Sequence, residues 1–423
     1  MNLRPYLLLL LASPVMAAVP DAAAYRQARA LHDRFIALDT HFDTAANLAK
    51  PGWSVLDRHT IAEGSQVDLP RMLEGGIDGG WWTIYTGQGD RTDAAHAAVR
   101  DRALLIGLRI HKMVAAAPDK LEIALTADDA KRIADSGKSI VYLSMENSYP
   151  IGKDITLIKT FYDLGVRMIG PVHGRNNEMA DSATDAGGPE WGGLSPLGKL
   201  LVAEANRLGM IIDASHAADS VLDQILDLSA TPIVLSHSGA KAVFDHPRNA
   251  PDALLKKLAD KGGVIQMNAF GSYVAKIEAS PERNAALAEL NAKFGIAAAP
   301  GGRGGRGGPV NLAADRMAEY QAARAELDKK FPVPRAPFEA FMAQVLHVLK
   351  LVGPDHVGMS GDFDGGGGLE GFMDVTGAPN ITAALLAAGY SEADIAKIWG
   401  GNVIRLLRTA EEHAKKVAAA PAN

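Results

Sequence analysis

The chain has 423 residues, with 48% hydrophobic and 22% charged side chains, a formal net charge of −6 and no cysteine. The hydrophobic share is enough for a sizeable core, and the mild negative charge argues against a nucleic-acid or anionic-membrane partner. Without cysteine there is no disulfide framework, thiol nucleophile, cysteine-ligated metal or lipid-anchored lipoprotein, so any metal must be held by His, Asp or Glu.

The N-terminus sets Arg4 before an apolar run over Leu7–Ala12 and a small-residue exit at Ala17-Ala18. These are the three parts of a secretory signal, and the run is too short to span a bilayer. The expectation is a signal peptide over residues 1–18 and a mature chain exported to the periplasm or secreted. No stable membrane anchor is expected to remain.

After a lead-in helix over Ala22–Arg34, the first predicted strand is Ile36–His41. The second is Gly75–Tyr85, whose paired Trp81 and Trp82 read as core packing. Helices are predicted over Asp93–Ala116 and Ala127–Ser136, then a third strand over Ser139–Glu146 and a helix over Pro150–Gly165. The fourth strand, Val166–Val172, ends at His173. A helix over Leu197–Leu208 closes at Gly209 and leads to the fifth strand, Met210–His216. A helix over Ala218–Leu228 precedes the sixth strand, Pro232–His237, and the seventh is Gly263–Asn268. Residues 271–335 read as the least regular part. Within them Gly301–Gly308, with two arginines in an acidic chain, reads as a flexible loop rather than an RNA-binding segment. A helix over Pro337–Leu351, an eighth strand over His356–Asp362, and closing helices over Ile381–Ala388 and Glu392–Lys416 complete the chain.

Eight short, continuously apolar strands alternating with helices indicate a parallel sheet covered on both faces. The predicted fold is α/β, a (β/α)8 TIM-like barrel over residues 19–423, with an irregular insertion around 271–335. In such a barrel the active site forms at the strand C-termini. A doubly wound open sheet is the alternative, but no Gly-rich phosphate turn follows the first strand.

The candidate ligands lie at those strand ends. His41 and Asp43 stand two apart on an extended segment, so both side chains face one side and can serve one metal ion. Later strands end at Glu146, His173, His216, His237 and Asp362. Three histidines and two carboxylates suit zinc or a similar divalent ion. Five ligands suit two ions, roughly 3.5–4 Å apart, sharing a carboxylate and a water that becomes hydroxide near neutral pH. Asp39 is a candidate outer partner of the ligands, and Asp364 the alternative to Asp362. His32, His59, His96, His111, His246, His347 and His356 read as structural or surface residues.

Six motifs follow one another in order: Asp39-Thr-His41-Phe-Asp43, Met145-Glu146, Asp213-Ala-Ser-His216, Leu235-Ser-His237-Ser, His246-Pro-Arg248-Asn-Ala-Pro-Asp252 and Gly361-Asp362-Phe-Asp-Gly365. In them the chain resembles the membrane dipeptidase (renal dipeptidase) family, peptidase family M19. The resemblance implies two Zn2+ per chain, one on His41 and Asp43 and the other on His216 and His237. Glu146 and a water or hydroxide would bridge them, and the hydroxide would attack the peptide bond. It further implies that His173 contacts the substrate near the scissile carbonyl, that Arg248 holds its C-terminal carboxylate, and that Asp362 shuttles a proton. The implied activity is a zinc dipeptidase acting on small peptides, with a D-residue tolerated on the C-terminal side and a homodimer admitted. Two alternatives stand beside it: the same centre acting on a peptide natural product or cyclic amide, and a catalytically silent binding protein. No ligand is lost, which disfavours the second. Asn268-Ala-Phe270 stands where the family has Asn-Phe-Tyr.

Overall fold

Val, Ile, Leu and Met dominate the predicted strands without polar alternation, which requires cover on both faces. The computed structural model, which describes residues 18–296 and 314–420, provides it. The strands are β1 (Leu38–Phe42), β2 (Gly79–Tyr85), β3 (Leu121–Ile123), β4 (Ser139–Glu146), β5 (Val166–Ile169), β6 (Ile211–Ile212), β7 (Val234–Ala240), β8 (Asn249–Ala250), β9 (Val264–Asn268) and β10 (Val357–Ser360). Every residue of β4, β7 and β9 is buried. One parallel sheet runs β1-β2-β4-β5-β6 with β3 beside β4, and another runs β10-β9-β7-β8.

The two sheets meet at both edges. Single parallel bridges join Asp213 to Val234 and Phe42 to Phe363, with Ala214 N donating to Val234 O and Asp43 N to Phe363 O. The eight predicted strands thus form the ring β1-β2-β4-β5-β6-β7-β9-β10, the (β/α)8 barrel expected from the sequence. Trp81 and Trp82, adjacent on β2, point to opposite faces. Trp81 stacks on Tyr142, with ring centroids 4.4 Å apart, in a cluster with Leu38, Ile140, Met168, Ile211, Val234 and Val264. Leu406 and Leu407 of the last helix, Asn402–Ala419, pack against that cluster. Trp82 joins the larger cluster shared with the helices.

Helix ends follow local chemistry. Thr92 caps Asp93–Ala115, and Ser195 caps Pro196–Leu208, where Pro196 opens the helix and left-handed Gly209 closes it.

Several boundaries differ from the sequence reading. β3 and β8 are short added strands. The predicted Pro150–Gly165 helix is a single 3-10 turn at Tyr149–Ile151 and a helix over Leu157–Asp163. The fifth strand shrinks to two residues, with single backbone bonds continuing at Asp213 and Ala214 before the Asp213 carboxylate takes Ser215 N and Ser236 N in place of a ladder. Residues 271–335, expected to be irregular, hold helices over Pro281–Lys293 and Ala314–Lys330. Their sequences lack an apolar stripe, so periodicity misses them. They are supported by the Ser280 cap and the Arg283–Asp328 ion pair between them. Residues 1–17 and the Gly301–Gly308 stretch lie outside the described residues. Among the described residues no helix is long and apolar enough to cross a membrane.

Candidate active site

The barrel turns its strand C-termini to one face, and four non-glycine residues there adopt left-handed backbone: Asn147 (φ 67°), His216 (65°), Asp362 (50°) and Asp364 (62°). These are the only such residues among those described, and each costs about 1–2 kcal/mol. Such strain persists where surrounding structure over-determines a conformation, most often at functional sites. His216 and Asp362 are themselves candidate site residues.

Around this rim the structure gathers His41, Asp43, Glu146, His173, His216, His237 and Asp362. Glu146, the last residue of β4, lies between two histidine groups. Its Oε2 is 3.6 Å from His41 Nε2. Its Oε1 is 2.9 Å from His216 Nε2, 3.4 Å from His237 Nε2 and 3.7 Å from His173 Nε2. His41 Nε2 is also 3.7 Å from Asp43 Oδ2. Three sets each place their ligand atoms within 4.8 Å of one another: His41, Glu146 and His237; Glu146, His173 and His216; His41, Asp43 and Asp362.

These residues fit a metal. His216 Nε2 and His237 Nε2 are 2.8 Å apart and face the same carboxylate oxygen, so nitrogen lone pairs and negative charge converge on one region. A Cβ at Gly365 would collide with Asp362 Oδ1 and Asp43 Oδ2, so glycine is needed to leave that carboxylate pair room. Imidazole and carboxylate donors together suit zinc and similar divalent ions.

The electrostatics explain why bare protein groups resist this packing. Burial raises the Glu146 carboxyl, partly offset by the charge of His41. Burial also raises Asp362, to about 6. Burial alone would lower His41, but the carboxylates of Glu146, Asp43 and Asp362 override it and hold the imidazole well above its ordinary range. Burial, with Arg248 and neighbouring histidines, drives His216 and His237 well below theirs. Neutral imidazoles and ionised carboxylates are the forms a metal binds.

Arg248 is 3% exposed. It donates from Nη2 to His237 O at 3.0 Å, and its Nε has no hydrogen-bond partner among the described residues. Its guanidinium carbon sits 5.3 Å from the Tyr273 ring centroid, and Tyr273 stacks on Phe270 at 4.4 Å. The His173 side chain is 31% exposed, the most open of the histidines in the cluster, and its ring lies 4.7 Å from that of Tyr85.

Two sequence readings change. Asp39 acts on backbone: its carboxylate accepts from His41 N and Gly361 N, at 2.9 and 2.7 Å. Asp364 is not interchangeable with Asp362, because its carboxylate takes Thr44 Oγ1, Asn47 Nδ2 and Gln66 N. Residues missed in the sequence include Asn268, which donates from Nδ2 to Asp362 Oδ2 at 3.1 Å, and Gly365. Asn268 ends a predicted strand as the ligands do and opens the Asn268-Ala-Phe270 stretch, but neither signal gave it a role.

A sequence profile described as membrane dipeptidase (peptidase family M19) matches residues 25–421. The protein described as dipeptidase tcpJ from Claviceps purpurea is 32% identical over 352 residues, covering 82% of this chain and 69% of that one. Among solved structures, the probable dipeptidase PvdM from Pseudomonas aeruginosa superposes with a TM-score of 0.74 at 32% identity, covering 93% of this chain and 100% of that one. A metallopeptidase from Rhodobacter sphaeroides, liganded with a phosphinate mimic of the dipeptide L-Ala-D-Ala, gives 0.67 at 25% identity, covering 89% and 99%. The chain belongs to the membrane dipeptidase family, peptidase family M19, as a hydrolase acting on dipeptides.

Proposed function

We propose that this protein hydrolyses the single peptide bond of free dipeptides at a pair of zinc ions. In this reading His41 and Asp43 hold one ion, His216 and His237 the other, and Glu146 is shared. The observation that carries it is the Glu146 carboxylate lying between two histidine groups, beside a buried arginine with an unpartnered Nε. When bound, such a pair of ions supplies Lewis acidity and a nucleophile at neutral pH.

The remaining roles belong to protein groups. Arg248 takes the substrate's C-terminal carboxylate, which a planar guanidinium pairs through two parallel hydrogen bonds. His173, open to solvent and braced by Tyr85, contacts the substrate beside the scissile carbonyl. Asp362, oriented by Asn268, moves a proton to the departing amine. A D-residue on the C-terminal side is accepted, a reading supported by the ligand held by the Rhodobacter sphaeroides relative. The N-terminal pattern supports export of the mature chain. N-terminal sequencing of native protein should then begin near Ala18 or Val19, and an intact Met1 would refute processing.

The activity is tested on a panel of L–L and L–D dipeptides, each with its C-terminal amide. The zinc-loaded protein should cleave free dipeptides in preference to amides. Arg248→Ala should lose about 2–5 kcal/mol of apparent transition-state stabilisation on free dipeptides, mostly in KM. Amides, which lack the carboxylate, should lose much less. An equal loss on both would sink the carboxylate-clamp role, and no cleavage of any dipeptide would sink the reading itself.

A further inference from the structure

His216 and His237 bring their Nε2 atoms together, yet their far nitrogens sit in different surroundings. His216 Nδ1 is buried without a hydrogen-bond partner among the described residues. His237 Nδ1 lies 2.7 Å from Ser236 Oγ, and that oxygen lies 2.6 Å from Asp213 Oδ2. Asp213 Oδ1 meanwhile accepts from Ser215 N and Ser236 N, both at 2.9 Å. The Asp213 carboxylate is thus an acceptor on both oxygens, and a serine hydroxyl has one proton to give. That proton goes to Asp213 Oδ2. The contact between Ser236 Oγ and His237 Nδ1 then requires the proton on the ring nitrogen.

We infer that Asp213 and Ser236 are positioning residues that lock His237 as the Nδ1–H tautomer, keeping its Nε2 as a lone-pair donor. The inference rests on the proposed reading that His237 faces a metal ion. The same assignment satisfies the 2.8 Å contact between the two histidines in metal-free protein, where His216 Nε2–H donates to His237 Nε2. In the metal-free protein His216 Nδ1 then carries no proton and needs no acceptor.

The place of Asp213 in the barrel strengthens the argument. β6 and β7 meet only through the Asp213–Val234 bridge. Beyond it, one carboxylate ties the backbone of both segments that carry His216 and His237. The hydroxyl of Ser215 adds to the seam by accepting from His237 N at 3.1 Å. A partner that orients a metal-binding imidazole typically contributes about 10–100-fold in metal affinity.

The test uses the full chain and no peptide. Nitrogen-15 NMR of histidine-labelled, metal-free protein reads the tautomer, and chelator competition reads affinity for zinc. Wild type should show His237 with its proton on Nδ1. Ser236→Ala frees the ring to choose and should weaken one of two zinc equivalents about 10-fold. Asp213→Asn should be worse. Its amide oxygen still accepts the two backbone N–H groups, but its NH2 must donate to Ser236 Oγ. The hydroxyl proton then turns onto His237 Nδ1, the ring proton moves to Nε2, and the lone pair is lost. A similar carboxylate-to-amide change misplaces the histidine proton in serine proteases. The inference is overturned if wild-type His237 carries its proton on Nε2, or if Asp213→Asn keeps the Nδ1–H signal and full zinc affinity. The wild-type spectrum alone can refute it, so poor folding of Asp213→Asn leaves it exposed to test. A protein that binds two zinc ions but cleaves no dipeptide would overturn the proposed activity and leave this inference standing.

Discussion

His32 shows how one residue can make the whole chain acid-sensitive. Its ring is 2% exposed, with Nδ1 3.0 Å from Gly76 O and Nε2 2.7 Å from Thr382 Oγ1. Gly76 O can only accept, so Nδ1 carries the ring proton, and Thr382 Oγ1, which accepts from Trp399 Nε1, gives its own proton to Nε2 of the neutral ring. Burial holds its pKa down at about 4, which keeps the ring neutral at neutral pH. A depressed folded-state value means that the unfolded chain binds this proton first as pH falls. The contribution is complete above the unfolded value of 6.5 and is lost as pH drops toward about 4, for a total of about 3 kcal/mol. Urea unfolding should show about 2 kcal/mol of this lost between about pH 7 and about pH 5. His32→Gln, which cannot titrate, should flatten that slope. An unchanged slope would show that other groups dominate acid unfolding.

At the scale of elements, the turn after β10 carries the most constraint in the fewest residues. Gly361 N is held by Asp39, Asp362 and Asp364 are left-handed, and the Asp364 carboxylate anchors the turn to Thr44 and Gln66. Gly365 sits where backbone must pass close to Asp362 Oδ1 and Asp43 Oδ2. Gly365→Ala forces these carboxylates aside, an overpacking that typically costs about 1–3 kcal/mol. The expected result is a folded protein with less bound metal at the Asp43 side and little activity. Elemental analysis with a thermal melt checks it, and wild-type metal content would show that the turn tolerates the extra carbon.

Across the whole molecule, the candidate ligands come from β1, β4, β7 and the segments after β1 and β6, so metal ions would link strands that are not all neighbours. Anything bound by the folded chain and not by the unfolded one stabilises the fold by mass action, by about 2.7 kcal/mol for one site at a free concentration of 100 Kd. Removing metal with a chelator should lower Tm, and restoring zinc should recover it. A melt indifferent to chelation would mean that the site contributes nothing to closing the ring. The seams are where this linkage matters, because the two sheets meet there through single bridges and side-chain carboxylates.

The eight barrel strands were readable from sequence because a strand buried on both faces is a local property, a short continuous apolar run with a helix on either side. His41, Asp43, Glu146, His216, His237 and Asp362 stood out because they follow such runs, and a barrel turns every strand end to one face. The paired helices over Pro281–Lys293 and Ala314–Lys330 were not readable, since they lack an apolar stripe and depend on each other. Nor was the early end of β6, the hold of Asn268 on Asp362, or the chain from Asp213 through Ser236 to His237. The Asn268–Asp362 contact joins residues 94 positions apart, and the Asp213–Ser236 contact residues 23 apart. Apolar pattern records which residues must be buried. Which polar atom meets which is decided only when the ring closes and brings the strand ends within hydrogen-bond reach.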